Sequence, residues 1–332
     1  MRSRHFVVPA LLSIAVLAAS VAPADSLTFH VEPKSKLTKT FENTVKLASE
    51  SMSITVDGQD AHGGVDSPKI EISDHEKIVV TDEYASVADG RATKLVRKFD
   101  DLAGESTETT AMPEGSGMED REEKSTKTSP LEGKTVVFTW KDDAYKAAWA
   151  EDEKGDDDLL EKLEGDMDLL DFLPAKEVSD GDTWDLEAKV FNKISSPGGK
   201  LQLRDQEKDE GEEMTKIQEQ IEENIEGEGK ATYRGTRDVD GAKVGVIEIA
   251  AELQSHGSFE ADGRENGVEY KITYTGQLLW DLKAGHLHSL ELEGTVGFVM
   301  DMKSSMDFNG ESHELNQRVE FAGEFEHKIT VE

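Results

Sequence analysis

The sequence predicts a mainly β protein, an antiparallel open or half-closed barrel or curved sheet with a helical insertion. Three observations lead there. In the last third, apolar and polar residues alternate strictly: Val268, Tyr270, Ile272 and Tyr274 against Glu269, Lys271, Thr273 and Thr275, then Leu290, Leu292, Val296, Phe298, Met300 and Met302, then Val319, Phe321, Phe325, Ile329 and Val331. Period two over such lengths means strands with one buried and one wet face. Asp57-Gly58, Asp89-Gly90, Asp240-Gly241, Asp262-Gly263 and Asn309-Gly310 supply dipeptides that tolerate positive φ in tight hairpins. Between the two β regions the period lengthens, with Leu159, Leu160, Leu163, Met167 and Leu170 at helical spacing behind Asp156, Asp157 and Asp158, acids that favour a helix N-terminus.

Along the chain, residues 1–24 read as a signal peptide. Arg2 and Arg4 precede an uncharged run from Phe6 to Val21, and Ala22-Pro23-Ala24 places cleavage between Ala24 and Asp25. The run is shorter than the ~20 residues that span a bilayer, so the mature chain is expected in the periplasm or outside the cell, with no stable membrane insertion. Residues 25–140 form an N-terminal β half, in which Leu27, Phe29 and Val31, Met52, Ile54 and Val56, and Val136, Phe138 and Trp140 alternate. Within it, 103–130 carries almost no core formers and is expected to be a mobile loop. A helical insertion covers 141–174, with its main helix over 157–173 and an end at Pro174. The C-terminal meander covers 175–332 and contains an acidic excursion at 205–228, where Met214, Ile217, Ile221 and Ile225 outline a thin amphipathic stripe.

Composition excludes whole classes. The net charge of −34, deepened by two when Arg2 and Arg4 leave with the leader, repels phosphate backbones and anionic headgroups, so nucleic acid is not an expected partner. There is no cysteine, which removes disulfides, thiolate metal sites, cysteine nucleophiles and a lipid-modified N-terminus. None of the six asparagines begins an Asn-x-Ser/Thr sequon, a composition that leans towards a bacterial envelope protein.

A curved sheet with a helix across its mouth resembles the exported lipoprotein-carrier proteins of bacteria. Phe172-Leu173-Pro174 followed by Val178, Gly181, Asp182 and Trp184, a Pro-x3-Val-x2-Gly-Asp-x-Trp pattern of about a dozen residues, is similar to a segment of uncharacterised bacterial exported β-rich proteins. The chain lacks the lipobox that many carrier relatives hold, which argues against membrane shuttling.

No chemistry-bearing motif emerges. His286 and His288 share a strand face but lack further marked ligands, short of the four that a structural zinc site takes. The acidic run over 151–171 has no Asp-x-Asp-x-Asp-Gly loop ending in a glutamate, so it points to loose divalent-cation screening rather than a calcium site. There is no Gly-x-Ser-x-Gly elbow and no Ser-x-x-Lys pair, and Ser195 to Lys200 lacks P-loop spacing. The four tryptophans suit packing better than a pocket. The reading is a non-catalytic module with neither cofactor nor metal. Tyr270, Tyr274, Leu292, Phe298, Phe321 and Phe325 on the sheet, and Leu160, Leu163 and Met167 on the lid, would hold a hydrophobic ligand or a segment of an envelope protein. The alternative is a structural or interaction protein of the envelope with a filled core and an acidic, cation-tolerant surface.

Overall fold

The computed structural model describes residues 24–61, 67–205, 211–261, 264–308 and 311–332. Residues 1–23, most of the expected leader, and the expected turns at Asp262-Gly263 and Asn309-Gly310 lie outside these residues. In chain order the strands are β1 (Lys36–Val56), β2 (Gln59–Asp60), β3 (Lys69–Ala88), β4 (Arg91–Ala111), β5 (Arg121–Thr128), β6 (Thr135–Lys141), β7 (Ala144–Trp149), β8 (Thr183–Leu186), β9 (Arg204–Asp205), β10 (Glu226–Val239), β11 (Ala242–Ala261), β12 (Arg264–Asp281), β13 (His286–Phe308) and β14 (Glu311–Val331). All join one antiparallel sheet of order β7-β6-β4-β3-β1-β14-β13-β12-β11-β10-β8, with β2 on β1, β5 on β4 and β9 on β5. The sheet does not close into a barrel; β7 and β8 end it.

The expected turns hold where they are described. Asp57, Asp89 and Asp240 have φ near +50°, and Gly58, Gly90 and Gly241 follow with φ of +75°, +72° and +87°, the left-handed pair that matches strand twist in a two-residue hairpin. The main strands of the sheet are long. At ~3.3 Å per residue, β13 extends roughly 70 Å, and the register from β11 through β12, β13 and β14 to β1 runs nearly unbroken.

Glycine allows the closest approach. A Cβ on Gly294 would lie 1.7 Å from Thr273 O and 3.0 Å from the Phe325 ring, so the close contact with β12 and the ring that covers it both depend on its bare backbone. Gly294→Ala is expected to cost about 1–3 kcal/mol, as overpacked cores do, read as a lower urea midpoint with an unchanged slope.

Three expectations are corrected. Residues 103–130 are not a loop: β4 runs to Ala111, and Ala103–Thr110 pair with Arg121–Thr128 of β5. Threonines 107, 109, 110, 126 and 128 satisfy strand propensity, and a ladder that is polar on both faces carries no apolar alternation to read. The 157–173 helix is replaced by two 3₁₀ turns, Asp157–Leu160 and Leu170–Phe172, with Leu169 at φ +56° and an isolated bridge from Leu163 to Gly199. Gly155 and Gly165 interrupt the segment so that it can press on Trp149 and Tyr145; a Cβ would lie 2.2 Å and 2.6 Å from those rings. Tyr145, Ala148 and Trp149, at the start of the expected 141–174 helical insertion, belong to β7. The third correction is Leu27, Phe29 and Val31, which are buried in the core without entering a ladder.

The helices lie later, in α1 (Asn192–Ser195) and α2 (Gly211–Asn224). The thin stripe suffices for α2, which lies on β11 and β12. Ile217 and Ile225 are buried, Ser255 Oγ donates to Gln220 O at 3.2 Å, and the Gln220 side chain fills the space a Cβ on Gly257 would take.

Candidate functional site: the concave face

Directly opposed residues of an antiparallel ladder point to the same side, so the register maps the inner face row by row. The proximal rows hold the core: Phe41 opposes Ile78 and Ile329, and Leu290 opposes Ile329 and Leu278. The segment from 150 to 203 fills this half from above, contributing Met167, Leu169, Phe172, Phe191 and Ile194, all buried. Phe172 meets Phe191 edge-on at 5.4 Å, and Phe191 and Phe325 each pack 4.9 Å from Tyr274.

The Pro-x3-Val-x2-Gly-Asp-x-Trp segment fastens this filling to the sheet edge. Val178 exchanges both backbone hydrogen bonds with Asp25, Gly181 N donates to Tyr233 O, Tyr233 N donates to Asp182 O, and Trp184 Nε1 donates to Phe172 O. Asp182 Oδ2 accepts from Ser179 N at 2.8 Å and closes the turn. The motif is a clasp made of backbone bonds and of two side-chain bonds to backbone groups.

Four charged side chains are sealed beneath the filling. Arg97 grips Asp82 with Nε at 2.7 Å from Oδ1 and Nη2 at 2.8 Å from Oδ2, and its two terminal nitrogens also donate to Glu164 O and Gly165 O. Lys39 Nζ lies 2.9 Å from Asp82 and 2.7 Å from Asp168, whose Oδ1 also accepts from Tyr84 OH at 2.7 Å. Burial by itself would raise the Asp82 carboxyl, but the adjoining Arg97 and Lys39 charges override it and hold it at about 2. Asp168, where burial outweighs the Lys39 charge, sits above the ordinary carboxylate value. Lys39, Asp82 and Arg97 are fully buried, so the group has no route to a substrate; it fixes the filling to β1, β3 and β4.

The distal half of the same face is different. Tyr270, Phe298 and Phe321 form one cross-strand row, flanked by Ser255 and Ser49. The next row outward is Val268, Met300, Val319 and Met52; the next inward is Ile272, Val296, Gly323, Leu47 and Ile72. Phe298, Phe321, Tyr270, Met300 and Met52 are only half-buried. To one side lies α2, and to the other the inner face turns polar along β3, β4 and β5.

The nine predicted ligand residues therefore divide. Tyr274, Leu292, Phe325 and Met167 are buried members of the proximal core, and Leu160 and Leu163 pack against it from the 150–203 segment. Tyr270, Phe298 and Phe321 stand together on the distal face. The helix beside that face is α2, not the 157–173 segment. Surface recesses of about 170 Å³, beside Ser53, Asp301 and Arg318, and about 520 Å³, beside Glu260, Arg264 and Ser304, involve none of the nine. Among the described residues, no three His, Asp or Glu side chains are grouped to hold a metal ion, and no helix is long and apolar enough to cross a membrane.

Two buried features went unread in the sequence although each left a trace. Lys39 lies between Leu37 and Phe41, Asp82 between Val80 and Tyr84, and Arg97 between Leu95 and Phe99: three charges at in-facing parity on alternating strands. His327 likewise lies between Phe325 and Ile329. It is buried, its Nδ1 donates to Asn43 Oδ1 at 2.7 Å, and loss of water pushes it down to about 4.

Fold and face together define an open antiparallel sheet whose inward face is filled in one half and only partly covered in the other. No protein-family model and no curated protein matches the chain. Among solved structures, it aligns with the crystal structure of Pseudomonas aeruginosa OccK7 (OpdD) at 6% identity and a TM-score of 0.18, over 87% of this chain and 98% of that one, a likeness too low to carry fold or function.

Proposed function

We propose that the protein is an exported, non-catalytic binding module that holds a hydrophobic ligand or partner segment on the distal concave face beside α2. The observation behind this reading is the row Tyr270–Phe298–Phe321, three aromatic rings set side by side on the inward face and left half-exposed where the 150–203 filling stops. Covering the exposed part of each ring is worth about 1 kcal/mol at ~25 cal/mol per Å², so the row alone supports weak binding and a tight ligand needs additional contacts.

The test is titration with the uncharged fluorescent probe N-phenyl-1-naphthylamine, alongside native mass spectrometry of residues 25–332 with solvent extraction. Wild type is expected to bind the probe saturably, and the Phe298→Ser/Phe321→Ser variant at least tenfold more weakly while unfolding cooperatively. Absence of saturable binding, or equal binding by the variant, overturns the reading. The filled proximal half favours a second reading, an interaction protein of the envelope whose acidic surface meets cations or basic partners; it predicts a bare mass and no probe binding.

A further inference from the structure

The polar wall beside the aromatic row carries an unbalanced charge. Inward-facing residues of β3, β4 and β5 follow from the register: Asn43, Glu76, Gly104 and Lys127 form one row, Val45, Asp74, Ser106 and Ser125 the next, and Leu47, Ile72, Glu108 and Glu123 the one beyond. Glu76 pairs with Lys127 at 3.1 Å, and Glu123 accepts from Arg121. Glu108 and Asp74 are not matched in this way, and Asp74 stands one strand nearer the aromatic row. Its Oδ1 is buried and meets no hydrogen-bond donor, in a row that continues through Val45 to Phe325. A buried carboxylate oxygen without a donor costs free energy, and a cation entering the cleft would supply one.

Resting on the binding reading above, we propose that the ligand of the distal cleft is a basic, amphipathic polypeptide segment, its apolar side chains on Tyr270, Phe298 and Phe321 and a lysine or arginine on Asp74. The apolar path between these anchors is continuous: Leu47 and Ile72, both half-buried, lie between Phe321 and Asp74 on the same face. Asp74 is two strands and two rows from Phe321, a separation of about 17 Å at ~4.8 Å per strand and ~3.4 Å per residue. Five extended residues or three helical turns cover that span. The net charge of −34 repels anionic headgroups and draws in a multiply charged segment more strongly than a single-headed amphiphile.

The experiment is calorimetric titration of the full chain after its leader with an end-blocked 12-residue peptide of leucine and lysine at helical spacing. The comparison ligands are its leucine/glutamate and lysine/serine counterparts, dodecylamine, and N-phenyl-1-naphthylamine. The leucine/lysine peptide is expected to bind, with affinity falling about tenfold in Asp74→Asn and in Phe321→Ser. The Asp74→Asn melting temperature should stay at or above that of wild type, because the carboxylate has no partner to lose. Equal binding of the lysine/serine peptide, an unchanged affinity in Asp74→Asn, or dodecylamine matching the peptide overturns the proposal. If the naphthylamine binds in a Phe321-dependent way and the peptide does not, only this inference falls; if neither binds, the binding reading falls with it.

Discussion

Arg97→Ala is expected to lower the unfolding free energy by about 3–5 kcal/mol, the usual result of stranding a buried countercharge. The substitution removes both bonds to Asp82 and the donors to Glu164 O and Gly165 O. That leaves two buried carboxylates, Asp82 and Asp168, facing the single charge of Lys39. The damage should also be directional. Because Arg97 is the tie between β4 and the two carbonyls of the filling segment, limited proteolysis is expected to cut first within residues 151–166, before the strands. Urea denaturation followed by tryptophan fluorescence checks the magnitude. Arg97→Ala/Asp82→Leu should recover part of the loss, since a buried charge set is costly mainly when broken by halves. A single variant within ~0.5 kcal/mol of wild type would show that the cluster is not sealed from water.

Acidification should weaken the fold in two separate steps. His327, held down to about 4 by loss of water, stays neutral in the native state while the unfolded chain takes up a proton below its ordinary value of 6.5. The unfolded state therefore binds more protons between those limits. Stability is complete above pH 6.5, falls as the pH drops towards 4, and then levels off, for a total of about 3 kcal/mol. Asp82 acts lower: its native value of about 2 against 3.8 unfolded means that its contribution is present above pH 3.8 and lost on the way to pH 2. His327→Gln should flatten the upper step and leave the lower one. Urea midpoints measured at half-unit intervals from pH 7.5 to 2 separate the two, and a variant profile parallel to wild type would rule out His327 as the source.

How far the sequence revealed this molecule depended on contrast between the two faces of each strand. Where one face is apolar and the other charged, as along Val268–Tyr274 and Val319–Val331, strand and facing were both legible. Where both faces are polar, as in Ala103–Thr110 against Arg121–Thr128, the pairing comes from threonine propensity and from the neighbouring ladder, and composition alone mimics a loop. The helical spacing of Leu159, Leu160, Leu163, Met167 and Leu170 indicated contact with the core but not geometry, because an irregular segment with glycines at 155 and 165 can set the same leucines against a core. The aromatic row was legible only as part of a larger apolar set. What separates Phe298 and Phe321 from Leu292 and Phe325 is where the filling ends, a tertiary fact with no local signature. The buried charges were marked by their parity on the strand, a trace that stands out once a charge between two core residues is taken as inward-facing.

The seam between β1 and β14 has a kinetic consequence. The first and last long strands of the chain are neighbours in the middle of the sheet, pairing from Lys39 with Val331 to Val56 with Leu315. Until the final twenty residues are made, the sheet exists only as two unjoined blades, β7-β6-β4-β3 with β1 at its margin, and β8-β10-β11-β12 with β13 at its margin. Each margin is a long unpaired edge of the kind that invites adhesion to other chains. With its decisive contacts nearly three hundred residues apart, the molecule belongs among slow, high-contact-order folders. A chain stopped before Glu311 would be locally ordered on both sides yet unable to join them, which makes β14 the closing strand in time as well as in space.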